Sequence, residues 1–136
     1  MPSPKARILC TEDDPDLREL LIFVLEAADY DVTVTEDSAD ALTLAQRQRF
    51  DLILVDSWMR GLSGQELTTE IRQFNQSTPI LFYSGAAYDK DKREARDAGA
   101  QGYLTKPEGM SVLVDEVGKL IAEARIAFPV AVDLPE

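Results

Sequence analysis

The sequence predicts a doubly wound α/β domain, on three observations. Short apolar runs alternate with amphipathic stretches five times over. Several of those runs are nearly continuous in Ile, Leu and Val, as strands covered on both faces require. The chain of 136 residues is the right size for one domain with a proper core. Five βα units in succession imply a parallel sheet with helices on both faces, because right-handed crossovers leave few other arrangements.

The first strand is expected over Ala6–Thr11 and runs into Glu12, Asp13 and Asp14. Asp14 stands directly before Pro15, the favoured way to open a helix, so it is read as a cap. That helix carries Leu17, Leu20, Leu21, Val24 and Leu25 at i, i+3, i+4, i+7, i+8 spacing. The second unit pairs a strand at Asp31–Thr35 with a helix bearing Ala41, Leu42, Leu44 and Ala45. In the third, a strand at Leu52–Asp56 precedes a helix opened by Ser63 and Glu66 in capping-box spacing, with Leu67, Ile71 and Phe74 as its apolar face. The fourth strand is expected at Ile80–Ser84. Its helix, in "YDKDKREARDAGA", offers only Tyr88, Ala95 and Ala98 as apolar anchors. So little apolar surface implies modest docking free energy and a weakly held, mobile segment, with a merely well-solvated helix as the alternative. The fifth unit pairs Gly102–Thr105 with a helix bearing Leu113, Val117, Leu120, Ile121 and Ala124. The domain is expected over residues 1–124, followed by a short tail at 125–136. Met1 and the proline-containing end "FPVAVDLPE" are read as those of a complete small protein.

Composition narrows the function. Hydrophobic residues make up 45% and charged residues 29%, as in a soluble globular protein. No apolar run approaches the roughly 18–20 residues of a membrane span, and "MPSPKAR" lacks the apolar core of a signal peptide. The one cysteine, Cys10, sits in an apolar run and fits a reducing cytoplasm. A net charge of −11 repels phosphate backbones, which argues against direct nucleic-acid binding and for basic partners or metal cations. Histidine is absent, so the chain has no histidine triad, histidine metal site or phosphohistidine of its own.

Ligands in such sheets bind beyond the carboxyl ends of the strands. There the first strand delivers Glu12, Asp13 and Asp14, the third Asp56, the fourth Ser84 and the fifth Lys106. A cluster of oxygen ligands suits a hard cation such as Mg²⁺, which also offsets the mutual repulsion of the carboxylates. A carboxylate can act as a nucleophile toward phosphorus, and Mg²⁺, Lys106 and Ser84 are groups that would support the phosphoryl group. Acids in the first βα loop, where a nucleotide carrier has a glycine-rich cradle, disfavour a phosphatase or flavodoxin-type carrier.

The stretches "ILCTEDDPDLRELL", "DLILVDSWMRGLSGQEL", "PILFYSGAA" and "DAGAQGYLTKP" resemble the receiver domain of two-component response regulators, in order and spacing, from about Arg7 to Ala124. The resemblance implies a flavodoxin-like (βα)5 fold with a five-stranded parallel sheet in the order 2-1-3-4-5. It also implies a switch that accepts a phosphoryl group from a partner kinase's histidine, assisting its own phosphorylation and dephosphorylation, rather than an enzyme with a separate substrate. Asp56 would be the phosphoacceptor. Glu12, Asp13, Asp56 and the backbone carbonyl of Trp58 would hold Mg²⁺, directly or through water, with Mn²⁺ as an alternative. Lys106 would pair with the phosphoryl oxygens, followed by a cis bond to Pro107, while Ser84 and Tyr103 would form the switch pair. The implied partners are a histidine kinase or a histidine phosphotransfer protein, and an effector protein of unknown identity. A relay role, or a receiver cut from a hybrid kinase or larger regulator, are the alternatives. Three positions depart from the commoner pattern: Arg60, which implies a looser loop or a partner contact, Gly85 beside the switch serine, and Glu108 after Lys106–Pro107.

Overall fold

The computed structural model describes residues 5–128. Its elements are β1 (Arg7–Thr11), α1 (Pro15–Ala27), β2 (Asp31–Thr35), α2 (Ser38–Arg47), β3 (Leu52–Val55), α3 (Gly64–Arg72), β4 (Ile80–Ser84), α4 (Asp89–Ala98), β5 (Gly102–Thr105), a 3₁₀ turn (Glu108–Val112) and α5 (Leu113–Ala127). The sheet is parallel throughout, in the order β2-β1-β3-β4-β5. The predicted architecture and strand order are therefore those observed.

Period-2 alternation divides the core between the two faces of the sheet. Ile8 and Cys10 of β1, Leu52 and Leu54 of β3, and Leu81 and Tyr83 of β4 point to the face covered by α1 and α5, where they meet Leu21, Leu25, Leu113, Val117 and Leu120. Leu9, Ile53, Val55, Ile80 and Phe82 point the other way, onto Ala41, Ala45, Leu67, Ile71 and Ala95. The strand runs look continuous in the sequence because both alternating sets are buried.

Local signals read from the sequence act as expected at two helix starts. Asp14 caps α1, its Oδ1 accepting from the N–H groups of Asp16 (3.0 Å) and Leu17 (3.4 Å), with Pro15 in the first turn. Ser63 and Glu66 form a reciprocal capping box on α3. Several expectations need correction. β1 begins at Arg7 rather than Ala6, and β3 ends at Val55, which leaves Asp56 just beyond the ladder. Leu20 is 45% exposed, because the buried stripe of α1 turns through Leu21 and Leu25. Phe74 lies past the end of α3 and is largely exposed. Tyr88 precedes α4 and stands 80% exposed, so it anchors nothing, and Ala95 is the only residue of α4 that is buried. α5 continues through Ala127, beyond the expected boundary at Ala124, while most of the expected tail lies outside the described residues. Among the described residues no helix is long and apolar enough to cross a membrane.

Candidate functional site

The carboxyl ends of β1, β3, β4 and β5 open on one cleft. Glu12 and Asp56 are both buried there, and one carboxylate oxygen from each of Glu12, Asp13 and Asp56 lies within 4.8 Å of the others. Asp13 is exposed on the rim. The Lys106 ammonium stands between the two buried acids, 3.0 Å from Glu12 Oε1 and 3.1 Å from Asp56 Oδ2. The peptide bond from Lys106 to Pro107 is cis, as expected.

Electrostatics follow from this packing. Burial pushes the Glu12 carboxyl above its usual range against the lowering hydrogen bond from Lys106, and the Asp56 charge adds to the rise. Burial works against the Lys106 ammonium, yet the charges of Asp56 and Glu12 outweigh it and hold the amine above its ordinary value. The site is thus an acid-rich cleft with one fixed cation. A donor set made wholly of oxygens, two buried and one exposed, fits a hard divalent cation that keeps part of its water shell.

The loops around the cleft are held by both local and long-range contacts. Asp56 Oδ1 accepts from the Trp58 N–H at 3.4 Å, while the indole itself is 70% exposed. A side chain at position 64 would press on the Asp56 carbonyl and come within 2.9 Å of Phe82 Cε2, so only glycine lets α3 start this close to the cleft. The loop after Asp56 is tied to the start of α2 at Arg60. The Arg60 carbonyl accepts from both the N–H (3.2 Å) and Oγ (3.0 Å) of the buried Ser38, whose Oγ also accepts from the Leu62 N–H. Gly61 takes φ +89° against that same Ser38 hydroxyl, where a side chain has no room. The sequence signal for this pinning, a serine at the start of α2, is indistinguishable from an ordinary helix-start serine.

Ser84 is fully buried at the end of β4, its Oγ accepting from the Ala86 N–H at 3.1 Å. The Tyr103 ring lies inward, stacked on Phe82 with centroids 5.6 Å apart, and its hydroxyl donates to the Ala86 carbonyl at 2.6 Å. Ser57, which the sequence did not single out, places its Oγ 3.5 Å from the Tyr103 hydroxyl. Gly85 has open space where a methyl group would sit. Glu108 is exposed, so it creates no packing conflict, and the neighbouring Gly109 fills the tight position against Leu104.

Comparison with known proteins agrees with this geometry. The family model described as the response regulator receiver domain matches residues 8–118. The transcriptional activator protein PfeR of Pseudomonas aeruginosa is 35% identical over 123 residues, which are 90% of this chain but 40% of PfeR. An uncharacterised 14.6 kDa protein of Leptolyngbya boryana is 33% identical over 124 residues, 90% of this chain and 92% of its own. Several further curated relatives are about twice as long as the stretch they share with this chain. Among solved structures, the receiver domain of the sensor histidine kinase PA1611 from P. aeruginosa, determined with a magnesium ion coordinated in its active-site cleft, superposes with a TM-score of 0.80 at 31% identity, covering 87% of this chain and 98% of that one. With the strand order and the acidic cleft already in place, the match over most of its length shows that the chain belongs to the response regulator receiver domain family.

Proposed function

We propose that the protein is a single-domain response regulator that accepts a phosphoryl group from a histidine kinase onto Asp56 and thereby switches its binding to an effector. The observation that carries this is the Lys106 ammonium bridging buried Glu12 and Asp56 at 3.0 and 3.1 Å. It places a fixed cation where phosphoryl oxygens would gather once Asp56 bonds to phosphorus.

Glu12, Asp13, Asp56 and the Trp58 backbone carbonyl are the groups that would hold Mg²⁺, with Mn²⁺ as a substitute. When bound, the cation supplies charge neutralisation at the phosphoryl oxygens and at the crowded carboxylates. The rest is done by the chain itself. An Asp56 carboxylate oxygen attacks phosphorus, the new O–P bond forming as the donor's P–N bond breaks, and the donor imidazole leaves with its electron pair. Lys106 follows the phosphoryl oxygens and keeps its proton, since its neighbours favour the charged form. Ser84 turns its hydroxyl from the Ala86 N–H toward the new anion, drawing the β4–α4 loop with it. Tyr103, already bonded to the Ala86 carbonyl, carries that displacement to β5 and to α4, which is anchored by the single buried Ala95.

The test is incubation with acetyl phosphate, with and without Mg²⁺, followed by intact mass. One phosphoryl group should add only with the cation present, and Asp56→Asn should abolish the addition. Label that persists in Asp56→Asn rejects the assignment.

A second reading, a relay intermediate or a receiver excised from a larger protein, is favoured by the similarity to the PA1611 receiver, which is part of a sensor kinase. Rapid loss of the label to a histidine phosphotransfer protein, with no change in effector binding, selects it.

A further inference from the structure

Glu12 is held at every polar group it has. Its N–H donates to the Thr35 carbonyl at 3.0 Å, tying it to the end of β2. Its Oε1 accepts from Lys106 at 3.0 Å and its Oε2 from the Asp14 N–H at 3.2 Å. The fourth group, the backbone carbonyl, accepts at 3.0 Å from Nη1 of Arg18, which reaches back over the first turn of α1. Arg18 is half-buried and makes no ion pair within 4.0 Å among the described residues. Its side chain forms one wall of an open recess of about 510 Å³ between α1, β2 and α2, shared with Val34, Thr35, Glu36 and Asp40. A guanidinium in that position has water and two nearby acids on one side, yet it is spent on a carbonyl on the other.

We infer that Arg18 is the positioning residue of the acidic site: by gripping the Glu12 carbonyl it fixes the peptide plane that joins Glu12 to Asp13, and with it the aim of both carboxylates. The inference rests on the reading that these carboxylates hold a divalent cation. The carbonyl of Glu12 and the N–H of Asp13 belong to one rigid unit, so a rotation of that plane turns both side chains at once. Glu12 is anchored beyond this plane by Lys106, Asp14 and Thr35, whereas Asp13 is exposed and has no side-chain hydrogen bond among the described residues. Asp13 therefore depends most on the plane. Groups that orient metal ligands from outside commonly change affinity by about 10–100-fold when removed.

The experiment measures Mg²⁺ affinity through the fluorescence of Trp58, the only tryptophan, at a temperature where every variant is fully folded by circular dichroism. Wild type, Asp13→Asn, Arg18→Ala and Arg18→Lys are titrated side by side, with free Mn²⁺ followed by electron paramagnetic resonance as an independent readout. Arg18→Ala should weaken binding about tenfold, and Arg18→Lys, which keeps one donor and the charge, should recover most of it. A purely structural Arg18 would lower the melting temperature and leave both affinities where they were. Arg18→Ala within twofold of wild type, while Asp13→Asn loses the cation, overturns the role of Arg18 alone. Wild type with no saturable response in either readout overturns the cation site and the inference together. Should Arg18→Ala not fold, Arg18→Gln serves the same comparison, because its shorter side chain cannot reach the Glu12 carbonyl.

Discussion

Lys106→Met removes the ammonium from the cleft and keeps nearly the same side-chain length. It leaves Glu12 and Asp56 buried, with facing oxygens no more than 4.8 Å apart and no charge between them. At an effective dielectric of about 20, two unit charges at that separation repel by about 3 kcal/mol. Breaking a buried ion pair by deleting one partner costs about 3–5 kcal/mol. The Lys106 side chain is 23% exposed, so water takes over part of its role and the lower end, about 3 kcal/mol, is expected. With a urea slope near 2 kcal/mol/M, the unfolding midpoint should fall by about 1.5 M in EDTA at pH 7. Mg²⁺ should then restore more stability to the variant than it adds to wild type, because the cation becomes the only counter-charge in the cleft. If variant and wild type unfold together in EDTA and gain the same increment from Mg²⁺, the ammonium is not what offsets the two acids.

Three further outcomes follow from the same structure. Asp14→Ala should cost about 1 kcal/mol of stability through loss of the α1 cap, with Mg²⁺ affinity intact, whereas Asp13→Ala should lose Mg²⁺ affinity with little change in stability; paired thermal and fluorescence titrations separate the two. Gly64→Ala should destabilise by about 1–3 kcal/mol, since the added methyl meets the Asp56 carbonyl and Phe82, and it should slow phosphorylation by displacing the loop that carries Asp56. Burial pushes the Cys10 thiol up to about 12. The unfolded thiol ionises near pH 8.5–9 and the folded one does not, so its stabilising contribution is complete below that range and is lost above it, by about 1.4 kcal/mol per pH unit. Urea unfolding of wild type against Cys10→Val between pH 8 and 10 isolates this slope, and parallel curves for the two proteins would contradict it.

How much was legible in the sequence depended on whether the cause was local. Strand runs, the Asp14–Pro15 helix start and the Ser63/Glu66 box are local; the two helix starts appear where the spacing placed them, and the strands do so to within one residue at the ends of β1 and β3. The cleft was legible because parallel βα topology brings all strand ends to one side, so the sequence positions of Glu12, Asp56, Ser84 and Lys106 already place them together. Interactions between loops were not legible. Arg60 reads as a missing proline and a slack loop, yet its carbonyl is held by Ser38, 22 residues away. Ser57 and Arg18 carry no pattern of their own; one faces Tyr103 and the other Glu12 only after the chain is folded. Leu20 and Phe74 show the opposite error. A helical face drawn from periodicity is wider than the stripe that the sheet covers, so Leu20 at its margin ends up in water, and Phe74 does so because α3 stops at Arg72, before the helical period reaches it.

The most direct test of Asp56 as the phosphoacceptor is to locate the phosphoryl group chemically. Borohydride reduces an aspartyl phosphate to homoserine, so phosphorylated protein is reduced, digested and sequenced by mass spectrometry. Homoserine is expected at position 56 alone, dependent on Mg²⁺ during phosphorylation and absent when the donor is omitted. Homoserine at Asp13 or another acid, or phosphorylated protein that yields none at position 56, would contradict this assignment.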